Sequence, residues 1–209
     1  MTPLCTRDTV VCTLLADGSS DRLLLPILQW LMDQHCPAAT ELNFADHLPS
    51  EPSGLTARIR VALECYPCHL LFVHRDAEGE DPAFRQLQID AAWADGKPAV
   101  HLVSVVPVRM TEAWLLVDEA AIRGAAGNPG GTAALDLPKL GKLEQHKDPK
   151  AALFEALRSA SGRSGARLKD FHPESRRHRV TELMATFAPL RNLPSFARLE
   201  AQLQKVFQS

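Results

Sequence analysis

Short apolar runs recur along the first half of the chain, and polar turns separate them. Three short apolar runs predict buried strands, at Val10–Ala16, Cys68–Val73 and Ala99–Val108, and the first is rich in β-branched residues. A weaker run, Glu41–Leu48, predicts a fourth strand. The intervening segments repeat apolar residues at helical spacing and predict helices at Asp21–His35, Ser53–Cys65, Pro82–Asp95 and Thr111–Ala126.

Strands that alternate with helices indicate a parallel sheet with helices on both faces. We therefore expect an α/β domain over residues 1–134, built on a mostly parallel sheet. The remainder predicts helices at Pro149–Ser161, Arg176–Leu190 and Ser195–Phe207, with a mobile loop at Gly162–Ser175. Residues 135–209 are expected to form a basic helical extension packed on the α/β domain.

The composition is that of an ordinary globular protein, with 45% hydrophobic and 23% charged residues among 209. No apolar run reaches the length of about 18 residues that spans a membrane. The N-terminus lacks the order of a signal peptide, so we expect a cytoplasmic protein with reduced cysteines. The pair in Cys65-Tyr-Pro-Cys68 falls where a helix ends, which is the wrong place for a redox motif.

The net charge of −2 conceals two opposite segments. Residues 1–137 hold nine basic and 18 acidic residues, whereas residues 138–180 hold 11 basic and five acidic ones. This order favours a metal-dependent site beside a phosphate-binding arm, although a solvated loop and helix face would look the same. The candidate nucleic-acid contacts in the arm are Arg163, Arg167, Lys169, Arg176, Arg177 and Arg179.

Charged residues follow the ends of the predicted central strands. Asp17 follows the first of these strands, Asp76 follows the second, and the pair Arg109 and Glu112 follows the third. Because ligands of open α/β sheets bind at the carboxyl ends of the strands, we expect these side chains to meet there. Asp17, Asp76 and Glu112, with Glu78 nearby, are candidate ligands of Mg²⁺ or Mn²⁺. Arg109 is expected to hold a phosphate oxygen or to fix Glu112.

Two segments resemble motifs of the TOPRIM domain, which topoisomerases, bacterial primases and several nucleases share. Leu15-Ala-Asp-Gly-Ser-Ser-Asp-Arg-Leu-Leu24 resembles its first motif, an acidic residue and a glycine after the first strand. The strand Leu70–Val73 with the following His74-Arg75-Asp76 resembles its Asp-x-Asp motif. The resemblance covers roughly residues 10–120 and implies a TOPRIM- or Rossmann-like fold.

A third segment, Pro107-Val-Arg-Met-Thr-Glu-Ala-Trp-Leu-Leu-Val-Asp118, is similar to an uncharacterised bacterial family of TOPRIM-like proteins with a domain of unknown function. Members of that family are often encoded beside an ATPase, in phage-defence or mobile-element loci. The similarity extends through Asn128-Pro-Gly and Asp148-Pro-Lys. It implies a partner ATPase and a role in bacterial defence.

Two positions depart from the TOPRIM pattern. Asp17 replaces the usual glutamate, and His74 replaces the first aspartate of Asp-x-Asp. A histidine ligates Mn²⁺ or acts as a general base, but it is a poor ligand of Mg²⁺.

The residues and the resemblance together predict a metal-dependent phosphodiesterase, of the TOPRIM nuclease type, acting on DNA or RNA with an ATPase partner. Its catalytic residues would be Asp17, His74, Asp76 and Glu112. The alternative is a non-catalytic nucleotide- or partner-binding subunit, which the two departures favour. An oligomer is compatible with either function.

A phosphoacceptor receiver is a third class, but only Asp17 lies at the turn where a receiver has two acids. A topoisomerase needs a tyrosine nucleophile, and the single tyrosine, Tyr66, lies away from the predicted site.

Overall fold

The computed structural model describes residues 4–46, 48, 54–96 and 98–208. Within these ranges four strands form one sheet: β1 (Thr9–Leu15), β2 (Ala39–Phe44), β3 (Leu70–His74) and β4 (His101–Val105). Neighbouring strands are parallel, in the order β2-β1-β3-β4. The predicted α/β fold with a parallel sheet flanked by helices is therefore confirmed. Part of the run predicted as the second strand, and Ser53 at the start of the following helix, lie outside the described residues.

Nine α-helices accompany the sheet in the part of the chain that the structure describes. They are α1 (Leu25–His35), α2 (Leu55–Cys65), α3 (Pro82–Gly96), α4 (Glu112–Leu115), α5 (Glu119–Ala125), α6 (Pro149–Ala160), α7 (Gly165–Lys169), α8 (Arg177–Leu183) and α9 (Pro194–Gln208). Short 3₁₀ helices lie at Leu4–Thr6, Ser19–Leu24, Leu140–Gln145, Pro173–Arg176 and Ala188–Asn192. None of the helices within the described ranges combines the length and the hydrophobicity that a membrane span requires.

Different helices pack against the two faces of the sheet. Alternate strand residues point to opposite faces, so Leu14 and Phe72 enter one core while Leu15 and Val73 enter the other. The smaller core packs α2 and α3 against the sheet through Ile59 and Ile89, among others. The larger core holds α1 together with residues of the C-terminal segment, including Leu153, Leu157, Val180, Phe196 and Leu199. One core is thus shared between residues 1–134 and residues 135–209.

Three predicted segments differ from the structure. The helix predicted at Thr111–Ala126 is interrupted, because the Asp118 carboxylate accepts a hydrogen bond from Ala121 N at 2.9 Å and starts α5 as its N-cap. The segment predicted as a mobile loop contains α7 and a 3₁₀ turn, and its Phe171 is buried in the larger core. The predicted helix Arg176–Leu190 is divided into α8 and the 3₁₀ turn Ala188–Asn192.

A buried carboxylate fastens α9 to the first helix. Glu200 accepts hydrogen bonds from Arg191 Nε at 3.0 Å and Nη2 at 2.7 Å, and its Oε1 lies 2.7 Å from His35 Nε2 at the end of α1. The Arg191 guanidinium also stacks over the Trp30 ring, 4.8 Å from its centroid. Burial alone would raise the pKa of Glu200, but the hydrogen bonds and charges of Arg191 and His35 outweigh burial and lower it.

We expect Glu200→Gln to lower the free energy of unfolding by about 1–3 kcal/mol, because charge-assisted hydrogen bonds to a mostly buried group are lost. Glu182→Gln is the matched control: its ion pair with Arg179 is about half exposed on both sides and should contribute less than about 1 kcal/mol. Urea unfolding of both variants measures the difference. Equal losses in the two variants would mean that Glu200 is not a structural anchor.

Candidate functional site

The carboxyl edge of the sheet collects polar residues from three strands. Strand order reverses between β1 and β3, since β2 lies on one side of β1 and β3 lies on the other. Such a switch point is where open α/β sheets bind ligands. The turn that begins with Asp17 leaves β1 there, and His74 ends β3 beside it. Thr111 arrives from the segment after β4 and contacts His74.

His74 is a buried cation at this switch point. The residue is 2% exposed. Its Nε2 lies 3.2 Å from Asp76 Oδ1 and 3.1 Å from Thr111 Oγ1, and its Nδ1 lies 3.5 Å from Asp21 Oδ2. Burial lowers the pKa of this imidazole, but the Asp21 and Asp76 carboxylates outweigh burial and raise it from 6.5 to about 9. At neutral pH both ring nitrogens therefore carry hydrogens.

A protonated imidazole has no lone pair for a metal ion and accepts no proton as a general base. With His74 charged, its Nε2–H donates toward Asp76 Oδ1 and Thr111 Oγ1, and the Thr111 hydroxyl donates to Asp76 Oδ1 at 3.3 Å. The arrangement suits an ion-paired cross-link between strand ends. It does not suit the predicted role of His74 as a Mn²⁺ ligand or catalytic base.

Asp21 and Thr111 are members of this cluster that the sequence analysis did not predict as site residues, and Asp21 is the charged one. Its Oδ2 accepts a hydrogen bond from Gly18 N at 3.1 Å, which closes the turn after β1 and starts the 3₁₀ helix Ser19–Leu24. Burial would raise the pKa of Asp21, but its contacts with His74, Gly18 and Ser20 lower it. The spacing of Gly18 and Asp21 is that of an N-cap and the third helical residue, and this signal could have found it.

Asp17 is paired with two arginines. Its Oδ1 accepts a hydrogen bond from Arg58 Nη1 at 2.7 Å, and its Oδ2 lies 3.5 Å from Arg75 Nε. Arg58, on α2, also donates to the Ala16 carbonyl at 2.7 Å. The Asp17 side chain is 46% exposed, whereas those of Arg58 and Arg75 are only 26% and 28% exposed. The carboxylate therefore meets solvent at the switch point, and the two arginines lie partly behind it.

The other predicted ligands also face cations of the chain. Glu112 is buried and accepts a hydrogen bond from Arg177 Nη1 at 2.7 Å. Arg177, on α8, therefore fixes Glu112, which is the role that was predicted for Arg109. Glu78 Oε2 lies 3.6 Å from Arg85 Nη2, and its backbone N–H donates to the Arg109 carbonyl at 3.0 Å. The Arg109 guanidinium packs closely over Gly79 and has no carboxylate partner among the described residues.

These carboxylates do not fit a divalent cation as they are arranged. Asp17, Asp76, Glu78 and Glu112 each face a positively charged partner, which would repel an incoming metal ion. Over residues 4–46, 48, 54–96 and 98–208, no group of three or more His, Cys, Asp or Glu side chains is placed to hold a metal ion. The charges at this edge are balanced by the protein itself.

The predicted nucleic-acid arm is divided between internal and exposed cations. Arg177 binds Glu112, and Arg179 donates to Glu182 at 2.8 Å. The guanidinium groups of Arg163 and Arg176 stack over the buried Phe171 ring, 5.1 and 5.8 Å from its centroid. The cations of α7 are exposed and have no carboxylate partner in the described ranges: Arg167 and Lys169.

Comparison of the chain with protein-family models, curated proteins and solved structures finds no match.

Proposed function

We propose that this chain is a non-catalytic, TOPRIM-like module of the cytoplasm that binds a phosphate group at the carboxyl edge of its sheet. One observation carries the proposal: each carboxylate predicted to ligate metal is in contact with a cation of the chain. A catalytic metal site keeps such carboxylates available, whereas a binding module of this fold does not need them. The phosphate belongs to a nucleotide or to a nucleic-acid backbone.

The two arginines at Asp17 are the proposed phosphate contacts. A guanidinium binds a carboxylate and a phosphate with the same paired N–H groups. Arg58 and Arg75 approach Asp17, whose side chain is about half exposed at the switch point, so an incoming phosphate can take its place as their partner. His74 ties the turn after β1 to the end of β3 through Asp21.

Fluorescence anisotropy tests the proposal with a labelled single-stranded oligonucleotide, in low salt and excess EDTA. We expect the wild type to bind and Arg58→Gln to weaken binding about tenfold or more, since a charge-assisted hydrogen bond is lost. Arg60→Gln is the matched control, because Arg60 lies on the same helix but pairs with Glu64 on its exposed face. ATP and inorganic phosphate as competitors distinguish a nucleotide ligand from a nucleic-acid backbone. Equal binding by the two variants, or no binding of any of these probes by the wild type, would contradict the proposed site.

The metal-dependent nuclease and its ATPase partner remain predictions. The wild-type protein and an Asp76→Ala variant test whether the chain is a nuclease. Mg²⁺ and Mn²⁺ are titrated by calorimetry, and plasmid and single-stranded DNA are offered as substrates. The binding module is expected to cleave neither substrate. Metal binding with cleavage, both lost in Asp76→Ala, would instead establish a phosphodiesterase and mean that the ion pairs of Asp17 and Asp76 open when metal binds.

A further inference from the structure

The outward face of α3 is apolar. This helix buries Ile89 and Ala92 against the sheet. The opposite side carries apolar side chains at helical spacing, all of them exposed: Ala83, Phe84, Leu87, Ala91 and Ala94. In the part of the chain that the structure describes, Phe84 and Leu87 are the large hydrophobic residues that are exposed, at 50% and 66%. An apolar stripe on the solvent side of a helix marks an interaction surface.

A groove runs beside this stripe, between the first half of α3 and helix α9. Val106 and Val108 form part of its apolar lining, and Gln202 of α9 bridges it by donating to Gln86 of α3 at 3.1 Å. Two cations on the same side of α9, Arg198 and Lys205, stand on either side of Gln202 along the helix. Both are exposed, and neither has a carboxylate within ion-pair distance among the described residues. Asp81 also lines the groove, where its Oδ1 accepts a hydrogen bond from Ala83 N at 2.9 Å at the start of α3.

The second half of α3 carries the opposite charge. Asp90 and Asp95 lie on this half and are exposed. Asp90 accepts one hydrogen bond, from Gln86 Nε2 at 2.8 Å, which leaves its charge uncompensated. Asp95 has no positively charged partner within the described ranges. The surface therefore holds an apolar stripe with a groove of net positive charge at one end, since Arg198 and Lys205 outnumber Asp81, and acidic side chains at the other.

We propose that this surface, the α3 face, is the interface of a symmetric homodimer in which two copies of α3 pack antiparallel. A two-fold axis at the middle of the stripe places the second half of each α3 over the first half of the other. Asp90 and Asp95 of each copy then come beside Arg198 and Lys205 of the other copy. A parallel arrangement would instead set the acidic halves against each other, so the charge pattern selects the antiparallel one.

The side chains of the stripe suit such a helix pair. Ala83, Ala91 and Ala94 are small and let the two helices approach closely, while Phe84 and Leu87 supply the buried apolar area. In a two-fold interface the same patch is used twice, so a surface that carries both charges is complementary to itself.

Sedimentation equilibrium tests the dimer over a range of protein concentrations. We expect the wild type to reach twice the 22.9 kDa mass of the chain and Ala91→Asp to stay at the monomer mass. Ala120→Asp is the matched control, since Ala120 is an exposed alanine on α5, away from the α3 face, and it should dimerise like the wild type. A wild type that is monomeric throughout, or an Ala91→Asp protein that dimerises normally, overturns the proposal.

Charge reversal tests the orientation of the two helices. The pair Arg198→Glu and Lys205→Glu should raise the dissociation constant about tenfold or more, and so should the pair Asp90→Lys and Asp95→Lys. Combining all four substitutions restores the attraction between copies and should recover most of the affinity. If the effects of the two pairs on the dissociation constant simply add, and the fourfold variant recovers no affinity, the antiparallel dimer is excluded.

Discussion

Trp114→Ala is expected to lower the free energy of unfolding by about 3–5 kcal/mol, the largest effect of any single substitution considered for this chain. Trp114 on α4 is 1% exposed. Its indole Nε1–H donates to Ser195 Oγ at 3.2 Å, and its ring meets Phe196 edge-on with centroids 5.4 Å apart. The substitution leaves a cavity where the α/β body meets α9. Because one core joins these two parts, they should unfold together in one transition.

Ser195→Ala separates the hydrogen bond from the packing. It removes the acceptor of the indole N–H and keeps the ring, so a loss of about 1–2 kcal/mol is expected. Urea unfolding followed by tryptophan fluorescence and by far-UV circular dichroism measures both variants. If Trp114→Ala showed two separate transitions, with only one of them shifted, residues 135–209 would be an independent unit and not part of the shared core.

The stability of the protein is expected to fall by about 3 kcal/mol as the pH rises from 6.5 to about 9. His74 has a pKa of 6.5 in the unfolded chain and about 9 in the folded protein, so within this window the folded state binds the extra proton. Its stabilising contribution is complete below pH 6.5 and is lost as pH rises through about 9. Each pKa unit corresponds to about 1.4 kcal/mol.

His74→Gln is the variant that isolates this contribution, because glutamine keeps an N–H donor and removes the titrating charge. We expect the wild type to be more stable than the variant near pH 6 and the two curves to converge above about pH 9. The other titrating groups are common to both proteins and cancel in the difference. Two parallel curves between pH 6 and pH 10 would mean that folding does not raise the pKa of His74.

The strands were predictable because a strand buried on both faces must be apolar at nearly every position. The runs that contain Leu14, Phe72 and Val103 meet this condition and lie in the observed sheet. Right-handed crossovers and parallel order then place the residues that follow these strands at one edge, so the location of Asp17 and Asp76 followed from their places in the sequence. The break in the helix at Asp118 was harder to predict, since a single capping side chain decided it.

The chemistry of the candidate site was not predictable in the same way. Arg58 lies 41 residues from Asp17, and Arg177 lies 65 residues from Glu112. No local pattern connects such pairs, because an ion pair depends on where whole elements pack. The charge of His74 has the same origin, since it needs Asp21 from the turn after β1 and Asp76 from its own strand end.

By itself the sequence determined the class of fold, the strands and the edge at which polar side chains gather, because these depend on local hydrophobicity and on the handedness of crossovers. The tertiary structure decided which cation each carboxylate meets, and so turned predicted metal ligands into ion pairs. It also decided which face of α3 is left exposed, because burial on the sheet uses only the side that carries Ile89. Electrostatics and surface exposure act between distant parts of the chain, and only the packed molecule brings those parts together.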